Sequence, residues 1–484
     1  MSILGAGPED HLSAIATGDV NGDGRPDLVV GASGVAGEDG SEAGAVYLLA
    51  GPLTGTRSWD LKDRPPTSTI RGIASGDRLG RAVTVGDLNG DGLAEIIVAA
   101  PEADGLKSER VDSGEVYVIP GSQSPAKAYD LAGEPPFLTL AGARPGDNAG
   151  WTLLATDLNG DALDDLIIGA PLASRDAARG EEAGIVYVLF GSRDLPRSTL
   201  DLATGFPGAT IFGTESGGRL GWSLAAGDTD GDGTPELIVG APFAYPGGDR
   251  RAAGKVYALP PPRPGDVKSV DDLTAVRTIS GRALGDQVGY SLAAADINGD
   301  GTADILAGAV SADGPTGERE LSGAAFVFYG GGSPELDMAD SAADVSVWGS
   351  HPDDRLGRSV ALGDVDADGG QDLMLAAPSA SRPDEDAAKA GLVLVIRGSA
   401  RLPAQFDLAA RDPDAIIVGP RADSILGHGN FGRPSLVSAD LDGDGRSDVA
   451  VAAPAEGPAD RAGAGTVYAI LSVDLHLQAP VGTD

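Results

Sequence analysis

Seven nine-residue stretches rich in aspartate recur along this 484-residue chain, and their spacing is that of a cation site. The pattern Asp-x-Asp/Asn-x-Asp-x-x-x-Asp/Glu occupies 19–27, 87–95, 157–165, 228–236, 296–304, 364–372 and 440–448. Oxygen-bearing side chains stand at positions 1, 3, 5 and 9. They are Asp19, Asn21, Asp23 and Asp27; Asp87, Asn89, Asp91 and Glu95; Asp157, Asn159, Asp161 and Asp165; and Asp228, Asp230, Asp232 and Glu236. The last three loops supply Asp296, Asn298, Asp300 and Asp304; Asp364, Asp366, Asp368 and Asp372; and Asp440, Asp442, Asp444 and Asp448. Position 7, held by Arg25, Leu93, Leu163, Thr234, Thr302, Gly370 and Arg446, offers a backbone carbonyl.

Calcium is a hard ion that takes six to eight oxygens, so such a set with water makes a shell for it, up to seven ions in all. Magnesium prefers a smaller octahedral shell with retained waters, and zinc normally takes Cys or His. The twelfth-position Glu of a helix-loop-helix calcium site is missing, and each loop runs directly into a strand pattern. The competing reading is a solvated Asx turn, which accounts for the acidity but not for the shared spacing. Loop 3 carries Ala162 where the others have Gly at position 6, and loop 6 has Ala367 at position 4. Both keep their acidic residues and are expected to be occupied, with altered affinity if the backbone is strained.

Other chemistry is sparse. The loop carboxylates read as ionised ligands rather than general acids, no Ser-His-Asp arrangement or phosphate-cradling loop stands out, and the chain is expected not to be an enzyme. His11, His351 and His428 each precede an inner strand and read as scattered solvent histidines, a small metal or pH-sensitive cluster being the alternative. Trp151 and Trp222 begin inner strands, where they either pack between blades or line the rim of a central channel and stack on a sugar. Tyr47, Tyr117, Tyr187, Tyr257 and Tyr468 fall inside third strands and read as core.

A formal charge of −37, from 72 acidic against 35 basic residues, repels nucleic acid and anionic membranes. There is no cysteine. No apolar stretch is long enough to span a bilayer, so no direct membrane insertion is expected. No signal peptide is visible, since Met1-Ser2-Ile3-Leu4-Gly5 already resembles part of a repeat, although a targeting segment could have been removed.

The loops must be held by elements of matching period. They begin 68, 70, 71, 68, 68 and 76 residues apart, room for four short strands per repeat. Runs such as Leu28-Val29-Val30, Leu166-Ile167-Ile168 and Leu237-Ile238-Val239 are apolar on both faces, as a strand sandwiched between sheets requires. In the second repeat, strands are predicted at 81–85, 96–100 and 115–119, with 68–71 the outer strand of the preceding blade. The fold expected is all-β: a single seven-bladed propeller over 1–484, with four-stranded blades. Ser2-Ile3-Leu4-Gly5 is expected to supply the strand missing from the last repeat and so close the ring, with 474–480 as the alternative. A closed ring needs no partner for stability, so a monomer is expected.

Leu79-Gly80, Asp87-Leu88-Asn89-Gly90-Asp91-Gly92 and Ala99-Ala100-Pro101, recurring as Leu220-Gly221 with Gly240-Ala241-Pro242 and as Phe431-Gly432 with Ala452-Ala453-Pro454, resemble FG-GAP repeats. These build the propeller head of integrin alpha subunits and occur in related bacterial proteins, and the resemblance spans residues 2–475. It implies an extracellular, cell-surface or periplasmic protein with calcium loops on one face and a protein or glycan partner on the other. That second face would carry Gly37-Glu38-Asp39, Arg175-Asp176, Gly180-Glu181-Glu182, Arg250-Arg251, Glu318-Arg319-Glu320 and Asp384-Glu385-Asp386. The other integrin domains, and the hydrolase domain found beside such repeats in some phospholipases, are not seen. The function expected is therefore a calcium-stabilised, non-catalytic binding or adhesion module. A structural module of a surface assembly, or a hydrolase with its site in the central channel, are the alternatives.

Overall fold

The computed structural model describes residues 1–37, 42–54, 58–134, 136–175, 181–381, 388–399, 402–429 and 435–475. Within them the regular elements are strands, apart from three single-turn 3-10 helices. Each repeat folds into an antiparallel sheet whose inner strand leads through the acidic loop into the second strand. In blade 2 these strands are Ala82–Gly86, Glu95–Ala100, Glu115–Ile119 and Leu138–Ala141. The inner strand lies one residue later than the sequence pattern suggests.

The second strands, among them Asp27–Ala32, Glu95–Ala100 and Asp165–Ala170, are buried at every position, because a sheet covers each of their faces. Seven apolar clusters follow, one between each pair of adjacent blades. Between blades 2 and 3, for example, Ile97, Val116 and Val118 meet Leu166, Ile168 and Tyr187. Burying each such aliphatic side chain stabilises the fold by about 1.5–3 kcal/mol. Glycine allows the backbones of adjacent blades to touch: a Cβ on Gly31 would lie 1.9 Å from the carbonyl oxygen of Gly80.

The ring closes as expected. Ser2–Leu4 pairs antiparallel with Thr466–Ile470, with Ile3 opposite Val467. The alternative closing segment falls largely outside the described residues, from 476 onward. Six sheets also carry a short fifth strand in parallel outside the fourth, borrowed from the following repeat: Trp59–Asp60 on Ser2–Leu4, and Thr199–Asp201 on Leu138–Ala141. Asp60-Leu61, Asp130-Leu131, Asp201-Leu202 and Asp407-Leu408 thus lie at, or just past, the ends of strands of the previous blade.

Blade 7 departs from the sequence alignment. The positive-φ glycine that donates to the second strand, Gly80 to the Ala99 carbonyl in blade 2, is here Gly427, which donates to Ala452 at 2.8 Å. Leu426-Gly427 therefore stands in the place given to Phe431-Gly432, which lie outside the described residues.

Candidate functional site

The seven acidic loops share one hydrogen-bonded frame. The position-1 aspartate gathers the backbone around itself: Asp19 Oδ1 accepts from Gly22 N at 2.7 Å and Asp23 N at 3.1 Å, and Oδ2 accepts from Gly24 N at 2.8 Å. Asp87, Asp157, Asp228, Asp296 and Asp440 do the same. Asp364 accepts from Asp368 N and Gly369 N. The position-5 carboxylate accepts the position-7 N–H in every loop, as Asp23 does from Arg25 and Asp444 from Arg446.

Position 9 opens the second strand and is buried in all seven blades, at Asp27, Glu95, Asp165, Glu236, Asp304, Asp372 and Asp448. One oxygen accepts the position-2 N–H, as Asp372 does from Val365 at 2.9 Å. In five blades the other accepts an N–H from the turn after the third strand, as Asp372 does from Gly398. Burial pushes these carboxyls up, Glu95 to about 7 and Asp165, Asp304 and Asp372 to about 6, against the downward pull of the N–H donors. Each oxygen has a second lone pair, which leaves room for a cation.

The donor set fits a hard divalent ion. In blades 4, 6 and 7 the carboxylate oxygens of positions 1, 3 and 9, namely Asp228, Asp230 and Glu236; Asp364, Asp366 and Asp372; and Asp440, Asp442 and Asp448, come within 4.8 Å of one another. In blades 1, 2 and 3 the position-3 amide instead donates to position 9, from Asn21, Asn89 and Asn159. Loop 5 differs again, Asn298 Nδ2 donating to Asp300. The two alanines adopt the left-handed backbone expected of glycine, Ala162 at φ 67° and Ala367 at φ 60°, so both loops keep the common shape at a cost in strain. In blade 6 Arg397 stands 3.1 Å from Asp366 Oδ2 and supplies positive charge at a ligand position.

The opposite face is less open than the sequence suggests. Arg250 and Arg319, read as surface charge, are clamps: Arg250 grips Asp337 of the borrowed strand and donates to the Gly281 carbonyl, and Arg319 does so with Asp407 and Gly349. Arg110 with Asp201, and Arg461 with Asp60, repeat the arrangement. Sequence reasoning missed this set, although an Arg four residues ahead of the third-strand Gly is its signal. Residues 38, 39, 176, 180 and 384–386 of the charged stretches lie outside the described residues.

Around the channel, the residues after the recurring glycine form a continuous chain across blades 3 to 7. Trp151 and Trp222 have ring centroids 5.1 Å apart, Trp222 and Tyr290 5.5 Å, and Arg358 lies over Tyr290 at 5.1 Å with Nη2 3.5 Å from His428 Nε2. Trp222 is buried and Trp151 half-buried, so only the latter keeps rim exposure. His428 is not a solvent histidine: burial, then Arg358, lowers it to about 4, and it is neutral at pH 7. His11 pairs with Glu9 and His351 with Asp354, and no histidine enters a metal-type cluster among the described residues. The recurring tyrosines are core as expected, except that Tyr468 is only half-buried.

A ring of seven blades, each with an acidic loop between its first two strands, defines a repeat β-propeller with candidate cation sites on one face. The chain belongs to the FG-GAP repeat family, whose model matches residues 12–49, 79–119, 149–189, 220–259, 288–324, 356–396 and 433–470. It is similar to phosphatidylinositol-glycan-specific phospholipase D of Homo sapiens, 29% identical over 75% of this chain and 42% of the relative, and of Bos taurus, 30% identical over 75% and 43%. Integrin alpha-5 of Xenopus laevis is 30% identical over 48% of this chain and 20% of the relative. The chain thus spans about two fifths of the length of the phospholipase relatives. These relatives overturn the expectation that the chain is no enzyme, because the proteins matching three quarters of it are named as phospholipases. That expectation rested on reading the loop carboxylates as ligands and on finding no Ser-His-Asp arrangement or phosphate-cradling loop in the sequence, motifs that do not cover every hydrolase.

Proposed function

We propose that this protein is a calcium-loaded recognition propeller, with calcium rigidifying the loops between first and second strands and a protein or glycan surface bound on the opposite face. The supporting observation is the common loop frame, with three carboxylates converging within 4.8 Å in blades 4, 6 and 7. Position 5 is exposed in every loop while position 1 is half-buried, a partly open site that suits the modest calcium affinities of extracellular modules, and we place the protein outside the cytosol. No helix among the described residues is long and apolar enough to cross a membrane. Glycan and protein arrays probed with the whole chain in calcium and in chelator test this reading. Calcium-dependent capture is the expected result, and capture of nothing in either condition contradicts it.

A second reading is favoured by the phospholipase relatives: the propeller serves a hydrolase acting on a phosphatidylinositol-glycan. Release of a glycosylphosphatidylinositol-anchored reporter from vesicles by the purified chain, above a buffer blank, is the outcome that reading requires.

A further inference from the structure

Five blades carry an aspartate just before the left-handed residue that precedes the inner strand: Asp10, Asp77, Asp147, Asp286 and Asp354. Three have strong partners of their own. Asp10 accepts from Gly7 N at 2.7 Å, Asp286 from Arg282 Nε at 3.2 Å, and Asp354 from the Ser350 hydroxyl at 2.9 Å and His351 N at 2.8 Å. Asp77 and Asp147 each keep one backbone N–H, from Ala74 and Arg144, but Asp147 retains an unserved oxygen as well. It is 5% exposed, and its Oδ2 is buried with no hydrogen-bond partner. Leaving a buried carboxyl oxygen without a partner carries the desolvation cost of that group uncompensated, so an orphan beside an open cleft calls for an explanation.

Such a cleft is present. Asp147 lines a space of about 350 Å³ between blades 2 and 3, on the face away from the acidic loops, within the range of small-ligand sites. Tyr187, Phe206 and Phe212 supply apolar ring surface, Tyr187 and Phe206 meeting edge to face at 5.8 Å. Arg144 is fixed by donation to the Ser174 carbonyl at 2.8 Å, and Arg175 lies over Phe212 at 4.6 Å. Two guanidinium groups disfavour a cationic ligand. Aromatic faces with polar groups at their edges suit a ring having C–H faces and hydroxyl edges.

We propose that this cleft binds a neutral hydroxylated ring, a hexopyranose unit of a glycan, with Asp147 taking its hydroxyls and the aromatic side chains covering its C–H face. Burial raises the Asp147 carboxyl to about 7, so near neutrality it can either accept from or donate to a hydroxyl. The inference deepens the recognition reading above and rests on it.

Saturation-transfer NMR of the whole chain with glucose, galactose, mannose and N-acetylglucosamine, in calcium, tests it alongside the arrays. At least one sugar should bind, and Asp147→Asn should weaken that sugar at least ~tenfold, since a site built around a buried polar group discriminates strongly. Ala203→Trp, at the exposed rim of the cleft, should do the same without altering Asp147. Asp286→Asn, where Arg282 already serves the carboxylate, should leave binding unchanged, and melting curves should show all three variants folded. No transfer to any of the four sugars overturns the proposal, as does binding that survives both Asp147→Asn and Ala203→Trp. Array capture that persists in those two variants removes the cleft and leaves the recognition reading standing, whereas a wild-type chain that captures nothing removes that reading itself.

Discussion

Arg461 and Asp60, 401 residues apart in the chain, meet at the seam of the ring: Nη1 lies 2.8 Å from Oδ1, and the same nitrogen donates to the Gly5 carbonyl at 2.6 Å. The clamp ties the last blade both to the N-terminal strand that completes it and to the borrowed strand outside that. Arg461 is buried while Asp60 is a quarter exposed, so the pair is only partly shielded from water.

Removing it should open the seam. Arg461→Ala is expected to destabilise the protein by about 1.5–3 kcal/mol, the usual range for hydrogen bonds to charged groups. Urea unfolding measures this. Arg446→Ala, at an exposed loop position, is the comparison and should shift the midpoint little.

Much of this fold was legible in sequence because its determinants are local. Asp19 and its six counterparts carry their own frame of N–H donors within five residues, and a triplet such as Leu166-Ile167-Ile168 declares a strand covered on both faces. What was not legible depends on neighbouring blades. Asp201 reads as the end of its own repeat, yet it pairs into the previous blade and meets Arg110 there. Arg250 and Arg319 look like surface charge until that borrowed strand is in place. Gly427 was obscured by the lengthened connection of blade 7, and Asp147 stands out only once its Oδ2 is seen to be buried without a partner.

Backbone strain at the two alanines should be removable. Ala162→Gly and Ala367→Gly are each expected to stabilise the protein by about 1 kcal/mol, since alanine in the left-handed region costs roughly that much more than glycine. Thermal unfolding in chelator isolates this effect from any change in ion binding.

Blade 6 should be the weakest cation site, because Arg397 already offsets the charge of Asp366. Arg397→Met is expected to raise calcium affinity there about tenfold, equivalent to about 1.4 kcal/mol, and to leave the other sites unchanged. Calorimetric titration of the variant against the wild type reads the difference.

Burial raises Asp147 to about 7 and Asp77 to about 6, in both cases above the ordinary 3.8. The folded state therefore holds these protons more tightly than the unfolded chain does. The stability they confer is full at low pH and is lost as pH rises through the folded values. Asp147→Asn cannot ionise, so its melting temperature should gain on that of the wild type between about pH 4 and pH 7. A difference that stays constant across that range would contradict the assignment.

We propose that all seven loops bind calcium and that the bound ions support the fold. Thermal unfolding of metal-stripped protein titrated with calcium, with magnesium in parallel and calorimetry to count ions, tests it most directly. Each occupied site should add about 2.7 kcal/mol at a hundredfold excess over its dissociation constant, so a large calcium-specific rise in melting temperature with six or seven ions bound is predicted. No calcium binding, or a rise that magnesium reproduces in full, would rule out calcium-specific sites and leave seven acidic turns.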